Sequence, residues 1–256
     1  MAEGTCEHLS RYKFALQYAK GRSVLDAGCG SGYGAHFLKL EGASMVYGID
    51  ISARAIGYAR QNFLAEGLDF ECTDLTKTLN LKDRYFDVII SFEIIEHIKD
   101  TAAYLSNLAR LLKGDGYCIF STPNRDINSP GWSIPHNSYH VKEYNASEFQ
   151  DLLNGYFSTS VLFGQYPSRR IIDLRKRKLG LRKMAYDGKL AHIYQSIAPI
   201  LPNRLRRNLV DVAGAIYLMF KKPSSAGLGE KLDFSDFLFI EDDFKDAEHL
   251  LAICRI

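Results

Sequence analysis

Up to Thr122 the chain alternates between short apolar, β-rich runs and longer helix-patterned ones. "SVLDA" (23–27) runs into "GAHFLKLEGA", and "MVYGID" (45–50) into "SARAIGYARQNFLAEG". "DFECTD" (69–74) leads through a loop to "FDVIISF" (86–92), and the helical "DTAAYLSNLARLLKGDG" leads to "YCIFST" (117–122). Strands separated by helices line up in parallel, with the helices covering both faces of the sheet. Gly114 and Gly116 punctuate a helix end and a tight turn. Beyond Thr122 the pattern changes to a loop rich in Pro, Asn and His. A helix over "EFQDLLNGY" follows, with Asn145 or Ser147 as its N-cap, then a strand "STSVLFG" and a closing strand "HLLAICRI".

A chain of 256 residues with 46% hydrophobic and 24% charged content has enough apolar material for one elaborated domain, or a domain with a large insertion. Its net charge of +2 hides a boundary: Arg169–Lys222 holds 14 Lys/Arg against three acids, a net of +11, leaving −9 on the remainder. The expected fold is α/β: a Rossmann-like, doubly wound, seven-stranded, mostly parallel sheet with a basic, partly helical insertion before the last strand. In domain terms, 1–165 plus 235–256 form the core and 166–234 the insertion. Five scattered cysteines without metal-site spacing are expected to be reduced thiols. The N-terminus lacks the pattern of a signal peptide, and the longest apolar run, "VAGAIYLMF" (212–220), is nine residues. That is too short to span a bilayer, so a cytoplasmic protein is expected.

The stretch "VLDAGCGSGYG" (24–34) carries the first chemical signal. An apolar strand, a turn with Gly28, Gly30 and Gly32, and a following helix form the start of a nucleotide-binding unit. A dinucleotide site wants glycine at position 33, where this chain has Tyr33, and has no use for an acid at Asp26. A cationic ligand without phosphate tolerates that acid, as the sulfonium and ammonium of S-adenosylmethionine would. Asp50, closing the second strand, stands where an acid meets ribose hydroxyls. Asp74, closing the third, is placed for an adenine amino group.

With these residues the chain resembles the class I S-adenosylmethionine-dependent methyltransferases over roughly residues 7–165 and the last strand. "VLDAGCGSGYG", "YGIDIS", "CTDLT", "FDVIISFEIIEHIKD" and "LARLLKGDGYCIFSTPN" follow the family's motif order. The resemblance implies S-adenosyl-L-methionine as cofactor. It implies Gly28, Gly30 and Gly32 on the methionine side, Asp26 acting through water or the turn amides, Asp50 on the ribose and Asp74 on the adenine. Ile51 and Leu75 would sandwich the adenine ring, and Ser91 of the fourth strand joins the cofactor-binding set. "EHLSRYKFA" is similar to the N-terminal helix of glycan-modifying members, which implies that Arg11 and Tyr12 reach the cofactor carboxylate; a surface Arg and a packing Tyr are the alternative.

Methyl transfer from a sulfonium is an in-line displacement that alignment and desolvation accelerate, and an oxygen acceptor must also lose a proton. His97, in "FEIIEH", and His140, in "HNSYHVKEYNASEF", are the candidate bases, with His136 weaker. Each could instead order its loop. No metal is assigned, although Glu93, Glu96 and His97, spaced i, i+3, i+4, offer an alternative reading that the ubiquinone-pathway O-methyltransferases suggest.

"STPN" (121–124) replaces the [DNS]PP[YF] motif of base N-methylation, which argues against a nucleobase acceptor. "STPN", "HVKEY" and "VLFGQ" together resemble sugar and surface-polysaccharide O-methyltransferases, so the expected acceptor is a sugar hydroxyl. A quinone-type small molecule is the alternative. The basic insertion could hold the phosphates of an activated or lipid-linked sugar, rest on an anionic membrane surface, or form a lid or homodimer face. Nucleic acid binding is the rival class, disfavoured by the insertion's few aromatics.

Overall fold

The computed structural model describes residues 3–130, 135, 137–176 and 233–256. His136, the run 212–220 and most of the basic segment lie outside the described residues. The chain divides into two compact units, one comprising Ala2–Tyr166 with Phe237–Ile256 and the other chiefly Pro167–Asp236.

The first unit is built on an eight-stranded sheet. Helix α1 (Glu3–Ala19) precedes β1 (Ser23–Ala27), α2 (Tyr33–Leu40), β2 (Met45–Asp50), α3 (Ala53–Asn62), β3 (Leu68–Cys72) and β4 (Phe86–Phe92). A 3-10 turn at Ile95–His97 leads to α4 (Thr101–Leu111), β5 (Leu112–Pro123), a short α5 (Arg125–Asn128), α6 (Ala146–Asn154) and β6 (Thr159–Pro167). Strands β7 (Phe237–Glu241) and β8 (His249–Arg255) end the chain. The strand order is β3-β2-β1-β4-β5-β8-β6-β7.

Pairings from β3 through β5 are parallel, whereas β8 runs antiparallel to both β5 and β6. The expected seven strands are therefore eight. The additional strand, "FLFIE", is short, borders acidic residues and lies at the sheet's edge, where pairing on one side suffices. Strand β5 also begins earlier than expected, at Leu112, so Gly114 and Gly116 fall within it. At Gly116 a Cβ would stand 2.7 Å from Leu112 Cδ1 and 2.8 Å from the Asp87 carbonyl, so the residue is required by close strand approach.

Side chains alternate between two cores, as the strand period of two demands. Leu25, Phe86, Ile89, Cys118 and Phe120 join Tyr104, Leu105 and Leu108 of α4 and Phe149 of α6 on one face. Val24, Val88, Ile90 and Ile119 join Tyr12, Leu38 and Ile56 of α1, α2 and α3 on the other. Helix starts follow local chemistry: Asp100 caps α4 through the Ala103 amide, and Asn145 caps α6 in a reciprocal capping box with Glu148.

In the second unit the described residues form a helix at 169–176 and a 3-10 turn at Phe234–Asp236, joined by an Arg170–Asp236 ion pair at 3.2 Å. All five cysteines are free. Among the described residues no helix is long and apolar enough to cross a membrane.

Candidate active site

The sheet order reverses at β1, which has β2 on one side and β4 on the other. The carboxyl ends of these strands therefore open a crevice where α/β sheets hold ligands. The glycine turn lies there. Gly28 and Cys29 donate their amides to the Ile49 carbonyl at 2.7 and 2.9 Å, fastening the turn to β2.

Gly28 takes φ +92, and a Cβ on it would overlap the Ile94 side chain, so the fold itself demands this glycine. Gly30 is different. At φ +53 its missing Cβ has no neighbour within 4 Å, which leaves the turn's surface open to a ligand. Gly32, also at positive φ, is the N-cap of α2.

Asp50 receives the Gly30 amide at 2.8 Å on one oxygen and the Ser52 amide at 2.8 Å on the other. It holds the turn and the start of α3 together while staying partly exposed. Next to it Ile51 is 71% exposed, an apolar side chain presented to whatever occupies the crevice. Asp74 accepts from the amide and hydroxyl of Thr76, which hold its carboxyl below the usual range. Leu75 and Ser91 are both buried. Leu75 is packed in the core, and Ser91 donates to the Ala27 carbonyl at 2.7 Å while accepting from Tyr104 at 2.6 Å.

Helix α1 crosses the same edge. Tyr12 is buried, its hydroxyl 3.1 Å from both Asp26 oxygens. Burial pushes the Asp26 carboxyl up to about 7 despite that hydrogen bond. Arg11, also buried, donates Nε to Gln165 at 2.7 Å and stands 3.7 Å from Glu93.

Three further residues complete this cluster, and sequence reasoning left two of them, His249 and His8, aside. His249, at the start of β8, lies 3.0 Å from Glu93 and 3.3 Å from Glu7 of α1. Although burial opposes the charge, Glu93 and Glu7 raise its pKa. Burial likewise opposes ionisation of Glu93, but Arg11 and His249 hold it well below the carboxylate range. His8 is the third, hydrogen-bonded through Nδ1 to the Tyr33 hydroxyl at 2.6 Å. Its signal was available, because His8, Arg11 and Tyr12 share one helix face at i, i+3, i+4. His249 had no local signal; strand pairing alone brings it in.

The two candidate bases meet beyond the carboxyl end of β4, their rings 4.9 Å apart and nearly perpendicular. His97 is exposed, with Nδ1 2.9 Å from the Tyr139 carbonyl. A carbonyl can only accept, so Nδ1 carries a proton, and in the neutral tautomer this selects the lone pair is on Nε2. His140 is more enclosed: Nδ1 lies 2.6 Å from Glu143, and Nε2 lies 2.8 Å from the Asn137 amide nitrogen. Glu143 in turn accepts from Ser129 at 2.6 Å.

Glu96 is buried beside this pair, its carboxyl raised to about 8 by burial and by Glu93. Its backbone carbonyl accepts from Val141 and Lys142, tying the 3-10 turn to the 137–142 loop. Glu93 does not join Glu96 and His97. At φ +58 it points toward Ser121, Arg11 and His249. The ligand atoms of Glu96, His97 and His140 lie within 4.8 Å of one another, but both His140 nitrogens already have partners.

A family model described as a methyltransferase domain matches residues 5–156. The chain belongs to the methyltransferase domain family. Membership carries the enzyme class and its cofactor, S-adenosyl-L-methionine. The residues of the crevice fit that group: Gly30 leaves the turn open and Ile51 is exposed beside Asp50.

A probable S-adenosylmethionine-dependent methyltransferase of Mycobacterium tuberculosis is 35% identical over 175 residues, 68% of this chain and 62% of that protein. A ubiquinone biosynthesis O-methyltransferase of Nitrosomonas europaea is 36% identical over 115 residues, 44% of this chain and 48% of that protein. The chain thus spans less than two thirds of the length of these relatives. In fold, the chain is similar to a SAM-dependent methyltransferase from Archaeoglobus fulgidus, with a TM-score of 0.59 at 17% identity, over 97% of this chain and 93% of that one.

Proposed function

We propose that this chain is an S-adenosyl-L-methionine-dependent O-methyltransferase in which His97 takes the proton of the acceptor hydroxyl. The observation that carries the reading is the contact of His97 with the Tyr139 carbonyl, which accepts from Nδ1–H and leaves Nε2 as the basic nitrogen of an exposed imidazole beyond the end of β4. When bound, the cofactor supplies an electrophilic methyl group. Gly28, Gly30 and Gly32 would border its methionine end and Arg11 its carboxylate, with Asp50 and Ile51 at the ribose and adenine and Asp74 beyond. Tyr12 and Asp26 back this set from the interior, and Leu75 and Ser91 support it from the core. His140, oriented by Glu143 and capped by Asn137, positions the loop that holds His97 and is the second candidate base.

The acceptor we favour is a sugar hydroxyl. The loop after β5 supports it by presenting Tyr139, 83% exposed, and Val141 beside the two imidazoles, surfaces on which a sugar ring stacks. The basic segment 169–222 would hold a phosphate or lipid-phosphate leader of that sugar. A phenolic small molecule is the second reading, favoured by the 36% identity to a ubiquinone biosynthesis O-methyltransferase.

The test is methyl transfer by purified protein to free sugars, nucleotide-linked sugars and catechols, compared with His97→Ala and His140→Ala. Loss of a general base lowers turnover about 10²–10⁴-fold, and His97→Ala is expected in that range on the preferred acceptor. Undiminished turnover in His97→Ala would remove His97 from the mechanism. Turnover on catechols alone would replace the sugar reading.

A further inference from the structure

We infer that His8 and Tyr33 form the outer wall of a ring-lined subsite for the cofactor's sulfonium, and so set the preference for the cationic cofactor over its uncharged demethylated product. The inference rests on the cofactor reading above and assigns two residues that reading does not use.

The rings come from three elements. His8 and Tyr12 project from α1, Tyr33 is the first residue of α2 directly after the glycine turn, and Phe92 ends β4. Ring centroids lie 5.4 Å apart for His8–Tyr12, 5.6 Å for His8–Tyr33 and 6.5 Å for His8–Phe92. Tyr12 stands 5.1 Å from Phe92 and 6.4 Å from Tyr33. Tyr12 and Phe92 are buried, while His8 and Tyr33 retain partial exposure. The cluster therefore has an inner layer that packs and a partly exposed outer pair, one member of which directly follows the glycine turn.

An aromatic face attracts a cation through its quadrupole, strongly so when water is excluded. That requires His8 to be uncharged, and several groups act on it. Burial is the largest, followed by the Arg11 charge, and with a smaller contribution from His249 these outweigh the opposing Glu93 and Glu7, holding His8 at about 4. An imidazole neutral throughout the physiological range can line a sulfonium subsite. Behind the rings, the Tyr12 hydroxyl is bonded to Asp26, which holds that inner ring in place. Packing alone does not account for a desolvated histidine and a tyrosine hydroxyl joined at 2.6 Å on the exposed side of the cluster.

The test is calorimetric titration of the full chain with S-adenosylmethionine and, separately, with S-adenosylhomocysteine. Tyr33→Leu removes one outer ring and is expected to weaken the cationic ligand about three- to thirtyfold relative to the neutral one. His8→Lys places a fixed cation in the wall and is expected to shift the same ratio about tenfold or more in the same direction. His8→Phe, a neutral ring, should leave the ratio within about twofold. Equal weakening of both ligands by Tyr33→Leu would overturn the inference even if His8→Lys failed to fold. Wild-type protein that bound neither ligand would overturn the cofactor reading and this one with it, so the two failures are distinguishable.

Discussion

Asp26 is a carboxyl placed in the interior, bonded to the Tyr12 phenol and the Ala35 amide, and its ionisation works against the fold. In the unfolded chain it titrates near 3.8; in the folded one it keeps its proton up to about 7. Across that window the native state holds more protons than the unfolded state, so Asp26 removes stability as pH rises, and the loss is complete above the folded value. Asp26→Asn, which can still accept from Tyr12, has no such penalty. Its melting temperature relative to wild type should climb between about pH 4 and about pH 7.5, and a flat difference would show that Asp26 is ionised in the fold throughout. At this scale the glycine turn and the acids at strand ends were readable, because each is a local pattern at a known strand end. For Ser91 and Leu75 the contacts were not readable. A motif places a residue near a strand's end without saying that its hydroxyl binds Ala27 or that its side chain enters the core.

Elements formed wherever a local signal and a burial pattern agreed. Helix α6 is the plainest case: Asn145 and Glu148 satisfy each other's backbone amides, and Phe149 and Leu153 face the core. Asn145→Ala is expected to cost about 1 kcal/mol, measured by denaturant midpoint, with no change in cofactor binding. A loss within error would mean that tertiary packing alone fixes the start of this helix. Strand β7 was missed because five residues at an edge carry little periodicity, and the true start of β5 was masked by two glycines that read as a turn. The 3-10 turn at Ile95–His97 was legible only as the sequence "EIIEH". Its separation of Glu93 from Glu96 depends on a left-handed residue, which no spacing rule announces.

Across the whole molecule, the reversal of strand order at β1 gathers α1, the glycine turn and the end of β4 at one edge, and β8 adds His249 to it. Those contributions span residues 7 to 249, so the cluster is a property of topology. Interior position makes β8 indispensable, since its loss exposes unpaired edges on both β5 and β6. A chain ended at residue 248 is expected to aggregate on expression, and a soluble monomer with the parent's circular dichroism would contradict that. Cys118 pairs with Cys254 across β5 and β8, a partner encoded far along the chain. During synthesis β1 to β5 can assemble early, as each meets a neighbour already made. Strand β5, however, keeps an open edge, and β6 finds no sheet neighbour, until the segment 167–236 has been translated and β7 and β8 have left the ribosome. The nascent protein passes that interval with unpaired strand edges, the condition under which chaperones bind and under which neighbouring chains on one message exchange strands.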